Sequence, residues 1–254
     1  MILMLTPDGF ITLYLSYKIH TYMKCPLALV IALILSVSAF AKSDSTILTK
    51  TVTDSGSIIY TKNGLTLTLN NKSVNFDTVV LRQRLVATFF EVYPKLLQTF
   101  NPDATKHVVF NVDSAYDGVA YASRGQITFN PGWFVKHPDD IDVVTHETMH
   151  LVQAYRGGSP GWLTEGIADY VRFKFGVENI GWALPAFKET QKYTDAYRVT
   201  ARFLAWLEAH VHSGIVVELN TALRTKTYTQ NTWAELTKKT LDELWADYAK
   251  SPAL

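Results

Sequence analysis

Apolar and polar positions in this chain keep one rhythm near the start and another further on. Between residues 42 and 70 β-branched and polar residues alternate, in Thr46-Ile47-Leu48-Thr49, Ser57-Ile58-Ile59-Tyr60 and Leu65-Thr66-Leu67-Thr68-Leu69. A period of two places alternate side chains on one face of a sheet, so a small set of strands is expected. Asn63-Gly64 supplies a hairpin turn between two of them, because both residues tolerate a positive φ. From 77 to 100 the spacing changes to three and four, through Val80, Leu81, Leu85, Phe89, Val92, Leu96 and Phe100. That predicts an amphipathic helix, with Asp77 as its N-cap and Pro94 kinking or ending it. Asn101-Pro102-Asp103 is a turn. A strand is expected from His107 to Val112, then a loop through Gly118 and Gly125, then a second strand from Gln126 to Asn130 stopped by Pro131-Gly132.

The remainder reads as helix. One helix is expected from Asp139 to about Ala154, with Asp139 or Asp140 at its start, and a second from Trp162 to Phe175. Gly157-Gly158-Ser159-Pro160-Gly161 breaks the chain between them. Further helices are expected over 195–211, 214–225 and 231–250. Strands followed by helices predict an α+β domain with a helical C-terminal half.

The first 41 residues follow a different logic. Met23-Lys24 opens a positive region, Pro26 to Phe40 is apolar and uncharged, and Ala39-Phe40-Ala41 has the small-x-small form of a cleavage site. These are the parts of a secretory signal peptide. The apolar run is short of the roughly 20 residues that span a bilayer, and a retained anchor is the alternative. Met23 is then the expected start, with 1–22 an upstream extension. Residues 42–254 form the expected exported domain, periplasmic or extracellular, with no stable membrane insertion after cleavage. Losing 1–41 removes Lys18, Lys24 and Asp8, so the 24 basic and 23 acidic residues become 22 and 22. Neither balance nor any basic run suggests a nucleic-acid partner. Cys25 leaves as well, so the domain has no disulfide and depends on its core and on any metal. A monomer is expected.

The candidate chemistry lies in the first two helices of the C-terminal half. His146 and His150 are four residues apart, so their imidazoles leave one helix face a turn apart. Two neutral imidazoles so placed suit Zn2+. Glu147, beside the first histidine, is placed to reach a water on such an ion, which completes the H-E-x-x-H pattern. Two surface histidines beside a glutamate are the plain alternative. Catalytic zinc takes three protein ligands and keeps one open position. Glu165 is the candidate third ligand, brought back by the Gly/Pro break. Asp169 shares its helix face and is the candidate partner for the free N–H of a ligand histidine. Both are set among Trp162, Leu163, Ile167, Ala168, Tyr170 and Val171, buried types that do not suit an exposed acidic pair. His20, His107, His137, His210 and His212 read as structural or solvated.

Asp139 to Gln153 and the run Trp162-Leu163-Thr164-Glu165-Gly166-Ile167-Ala168-Asp169-Tyr170-Val171-Arg172 together resemble the basic secretory protein family. Gly118 to Ser123, Tyr197 to Leu204, Leu219-Asn220 and Leu244 to Tyr248 extend the resemblance from about residue 75 to 250. The resemblance implies a zincin-like fold and a zinc-dependent peptidase. It implies His146, His150 and Glu165 as ligands and Glu147 as the catalytic acid and base, in an arrangement similar to the glutamate zincins. The formally neutral exported chain departs from the family's name, so no role resting on a basic surface is implied. The oxyanion donor expected from the family-like segment is Tyr197, with Tyr193, His210 and Tyr155 as alternatives. Protein or peptide substrates follow, with Gln126–Asn130 as the edge along which they add. A zinc amidase or esterase, and a secreted zinc-binding protein without activity, are the rival functions.

Overall fold

The computed structural model describes residues 47–73 and 79–254. The expected signal peptide and the expected Asp77 cap lie outside these residues. Three strands open the described chain: β1 (Thr49–Val52), β2 (Ile58–Lys62) and β3 (Leu65–Asn71). The first is displaced from the expected 46–49. β2 and β3 form the hairpin promised by Asn63-Gly64, whose φ angles are 51° and 76°. Helix α1 (Val79–Phe100) then carries the chain over the sheet to β4 (His107–Val112), which lies parallel to β3. β5 (Ala120–Ser123) and β6 (Gln126–Phe129) follow as an antiparallel pair, and β6 lies parallel to β4. The sheet order is β1-β2-β3-β4-β6-β5.

The period-two pattern decides which face of the sheet is covered. Leu65, Leu67 and Leu69 of β3, Val108, Phe110 and Val112 of β4, and Ile127 and Phe129 of β6 are all buried. The register sets Leu67 beside Val108 and Phe110 beside Ile127. α1 covers this face through Phe89, whose ring meets Phe110 edge-on at 5.6 Å. The opposite face is polar and cross-linked, with Asn70 bonded to Asn111 at 3.0 Å and Thr68 to His107 at 2.9 Å. His107 is thus structural, as its sequence context suggested.

Several expectations are corrected here. α1 does not end at Pro94 but runs on to Phe100. Its buried side chains Leu96, Leu97 and Phe100 offset the one backbone bond that proline removes. Val80, placed on the apolar stripe by spacing, is exposed. The loop expected between residues 112 and 126 contains β5. Because β5 covers β6, the strand Gln126–Phe129 is interior and is not an edge. Pro131-Gly132 does end β6, but it also begins a short helix α2 (Pro131–Lys136), with the Asn130 side chain accepting from the Gly132 N–H.

Helices fill the rest: α3 (Val143–Gln153), α4 (Gly161–Phe175), α5 (Tyr197–His210), α6 (Ile215–Arg224), α7 (Thr232–Thr237) and α8 (Leu241–Lys250). The stretch expected as one helix over 231–250 is two, separated where Lys238 turns left-handed and Thr240 caps α8 through a capping box with Glu243. The architecture is α+β, a mixed sheet with a helical C-terminal half. No described helix is long and apolar enough to cross a membrane.

Candidate metal centre and active site

α3 passes through the interior, with Val144, Met149 and Val152 fully buried. A helix covered on most sides must satisfy any polar side chain it carries. It starts at Val143, later than expected, so neither Asp139 nor Asp140 caps it. Asp142 stands at the cap position without capping it. Its carboxylate instead accepts from the backbone N–H groups of Val177, Glu178 and Asn179 and from the Thr145 hydroxyl, at 2.7–2.8 Å. Burial pushes the Asp142 carboxyl up, but these four donors outweigh it and hold it below the usual carboxylate range. The start of α3 is thereby tied to the segment that follows α4.

A second tie closes the other end. Gln153 Nε2 donates to the Thr164 carbonyl at 2.9 Å, which turns its Oε1 toward His150 Nδ1 at 2.7 Å. With the amide oriented that way, His150 Nδ1 must be the donor, and its Nε2 is left with a lone pair. Midway, the His146 Nδ1–H donates to Asp169 Oδ1 at 2.6 Å, which also frees Nε2. α3 is therefore held at three levels, twice by α4 and once by the segment after it, and each join fixes a histidine or the helix that bears it. The break at 154–160 allows this return, with Ala154, Gly157 and Gly158 all left-handed.

The result is a triangle of candidate ligand atoms. His146 Nε2 lies 3.1 Å from His150 Nε2 and 3.2 Å from Glu165 Oε2, and His150 Nε2 lies 3.4 Å from the same oxygen. Ligands about 2.0–2.1 Å from a tetrahedral zinc lie about 3.3–3.4 Å apart, so this donor set fits that ion. Two imidazole lone pairs facing each other at that distance need a cation between them. Without a metal a proton takes that part. Burial pulls the His146 imidazole down, yet hydrogen bonds to Asp169 and Glu165 and their charges hold it at about 10. Burial raises Glu165, but the two histidines bring it to about 2. Among the described residues these three are the group placed to share a metal ion.

Glu147 is buried beside them, and its Oε2 has no hydrogen-bond partner. Burial pushes its carboxyl up against the opposing pull of the two histidines. An acceptor so placed is open to a proton from a bound water. Tyr197, half exposed at the start of α5, lies over the site, its ring 6.3 Å from that of His146 and within 17° of parallel. The Glu165 charge first, and then burial, hold its phenol above the usual value, so it stays a donor at neutral pH. Tyr193 and His210 are engaged elsewhere, with Asp242 at 2.9 Å and the Ala253 carbonyl at 3.0 Å. Tyr155 lines the cleft but gives its hydroxyl to Asn220. The cleft has a volume of about 1360 Å3, and β5 forms one wall of it.

Sequence reasoning missed Gln153 and the role of β5. The first was within reach, since it lies three residues from His150 on the same helix face. It also missed Arg172, a buried guanidinium that pairs with Asp140, donates from Nε to Asn179 at 3.2 Å and stacks over Trp182 at 4.6 Å.

The sequence model of a family described as "Peptidase of plants and bacteria" matches residues 37–248. Among solved structures, the chain is similar to Legionella pneumophila aminopeptidase A in complex with aspartic acid. Identity is 14% and the TM-score 0.53, over 79% of this chain and 27% of that one. A second likeness is to a two-domain M1 zinc metallopeptidase variant bound to L-tryptophan. There identity is 13% and the TM-score 0.43, over 82% of this chain and 52% of that one. The chain thus spans about a quarter of the first and about half of the second, and at such identity the first likeness shows the fold alone. No curated protein matches the chain.

Proposed function

Because the chain belongs to the family of peptidases of plants and bacteria, we propose that it is an exported zinc-dependent peptidase that hydrolyses peptide bonds in the cleft beside α3. The observation that carries this reading is the triangle of His146 Nε2, His150 Nε2 and Glu165 Oε2 next to the unpartnered Glu147 carboxylate. These three residues would hold the zinc, and Asp169 and Gln153 would keep each imidazole in the tautomer that ligates. When bound, the ion would polarise a carbonyl and lower the pKa of a water to about 7.

The chain's own groups do the rest. Glu147 Oε2 takes the proton of the attacking water and delivers it to the leaving amine nitrogen. The Tyr197 hydroxyl donates to the oxyanion as it develops. The substrate adds in extended form along the outer edge of β5, in place of the strand expected from sequence. The signal peptide over 23–41 directs export, and residues 42–254 act as one domain and one monomer. A catalytic ion is favoured over a structural one because the group offers three protein ligands, where structural zinc takes four.

The test is Glu147→Gln. That variant should retain one zinc per chain, measured by metal analysis, and lose hydrolysis of a proteome-derived peptide mixture. Wild-type protein carrying one zinc that cleaves nothing in the mixture would sink the reading. Turnover restricted to small amides or esters would replace it with the hydrolase alternative.

A further inference from the structure

At His150 and Tyr155 the cleft adjoins a second cavity of about 890 Å3, which shares Ala122, His150 and Tyr155 with it. Four basic side chains line this cavity, Arg124, Arg156, Arg224 and Lys226, against one acidic residue, Asp103. The concentration is local, since the whole chain carries 24 basic and 23 acidic residues. It is also uncompensated. Among the described residues no ion pair or side-chain hydrogen bond engages any of the four, and Arg224 Nε is buried without a hydrogen-bond partner. A buried guanidinium N–H left open costs free energy unless something outside the chain accepts from it. Arg124 stands at φ 49° in the β5–β6 turn, where asparagine or glycine would adopt the backbone at lower cost.

Position joins these cations to the cleft. β5 begins in the cleft at Ala120 and ends in the cavity at Ser123, and Arg124 follows directly. A chain extended along the β5 edge therefore leaves the metal ligands and runs into the basic cavity.

We propose that this cavity is an acidic-residue subsite. It selects peptide substrates that carry aspartate or glutamate on one side of the scissile bond, within about four residues of it, the span of β5. Arg224 and Arg156 take the carboxylates through charge-assisted hydrogen bonds, and Arg124 and Lys226 supply the surrounding positive field. The inference deepens the peptidase reading and rests on it.

The experiment compares fluorogenic peptides that differ only in an Asp-Glu, Asn-Gln or Lys-Lys pair, placed on either side of the scissile bond, with the zinc-loaded protein. The acidic pair should raise kcat/KM over the neutral pair about tenfold on one side only, and the gain should shrink with salt. Arg124→Glu with Arg156→Glu, both exposed and so benign to folding, should turn the preference toward Lys-Lys. Arg224→Gln should abolish it. Equal turnover of all pairs, or a gain from acid on both sides alike, overturns the subsite and leaves the peptidase reading standing. If no peptide is cleaved, the peptidase reading falls. Binding to Glu147→Gln protein, followed by fluorescence anisotropy, then decides the cavity. Acidic peptide bound more tightly than neutral, and released by the Arg124→Glu and Arg156→Glu pair, upholds it; equal binding overturns it.

Discussion

The two ends of the cleft treat charge in opposite ways. At the end formed by α2, the C-terminal part of α4 and the loop after it, the guanidinium groups have partners. Arg172 pairs with Asp140, which also accepts from Trp133 Nε1 at 2.8 Å. Arg84 reaches across from α1 to Glu178, to Asp139 and to the Pro138 carbonyl. At the end beyond His150, Arg124, Arg156, Arg224 and Lys226 have no ion-pair or side-chain hydrogen-bond partner among the described residues. A paired charge in a half-dry site holds a frame together, because removing one member strands the other. An unpaired charge holds nothing within the chain. The contrast separates groups that build the cleft from groups available to what enters it.

The comparison is broken most directly at Arg172. Arg172→Met takes from Asp140 its charged partner, leaving only Trp133 Nε1, and removes the stack on Trp182, and should cost about 3 kcal/mol in denaturant unfolding. A loss under about 1 kcal/mol would mean that the pairing is ornamental. Asp142→Ala comes next, at about 2 kcal/mol. Faster amide exchange at Val177, Glu178 and Asn179 should accompany it, since those N–H groups lose their acceptor. Between the two ends, Asp169→Asn should keep the fold and weaken zinc binding about 10- to 100-fold, read by competition with a chelator.

A further test comes from pH. His146 rises on folding from 6.5 to about 10, so its contribution is complete below 6.5 and is lost as pH rises through 10. Glu165 falls from 4.5 to about 2, so its contribution is complete above 4.5 and is lost as pH falls through 2. Metal-free protein should therefore melt highest between pH 4.5 and 6.5. Zinc must displace the His146 proton, so the rise in Tm on adding zinc should grow from pH 5 to pH 8. A zinc shift that shrinks over that range contradicts the proton-for-metal exchange. The smallest effect belongs to the unpaired end, where Arg156→Ala should change stability by no more than about 0.5 kcal/mol.

Much of the metal centre was legible because its parts are local. His146, Glu147, His150, Glu165 and Asp169, the candidate residues, fall within two helices; helical spacing pairs His146 with His150 and Glu165 with Asp169, and the Gly/Pro break between the helices lets one return against the other. β4 was legible to the residue for the same reason, with alternation bounded by turn signals. The basic cavity was not, because Arg124, Arg156 and Arg224 come from a hairpin turn, an interhelix break and the end of α6. Only the fold brings them together. β5 was missed because Ala120-Tyr121-Ala122-Ser123 has little strand character of its own and owes its conformation to pairing with β6. The α2 start was hidden by reading Pro131-Gly132 only as a breaker, when Asn130 before a proline is also how a helix begins. Of the two effects expected of Pro94, ending the helix there does not occur, because packing around Phe100 overrides a local preference.

One contact sets a dimension of the site. Gly166 follows Glu165, and a Cβ there would stand 2.2 Å from the Thr200 methyl of α5. The helix bearing Glu165 and the helix that begins at Tyr197 are thus gauged against each other by a single hydrogen atom. The gap between metal site and tyrosine is a machining tolerance, and residues 166 and 200 are the two surfaces that define it. A methyl group added at residue 166 would force α4 and α5 apart and shift Tyr197 relative to Glu165, which makes this pair of positions a gauge of the width of the cleft.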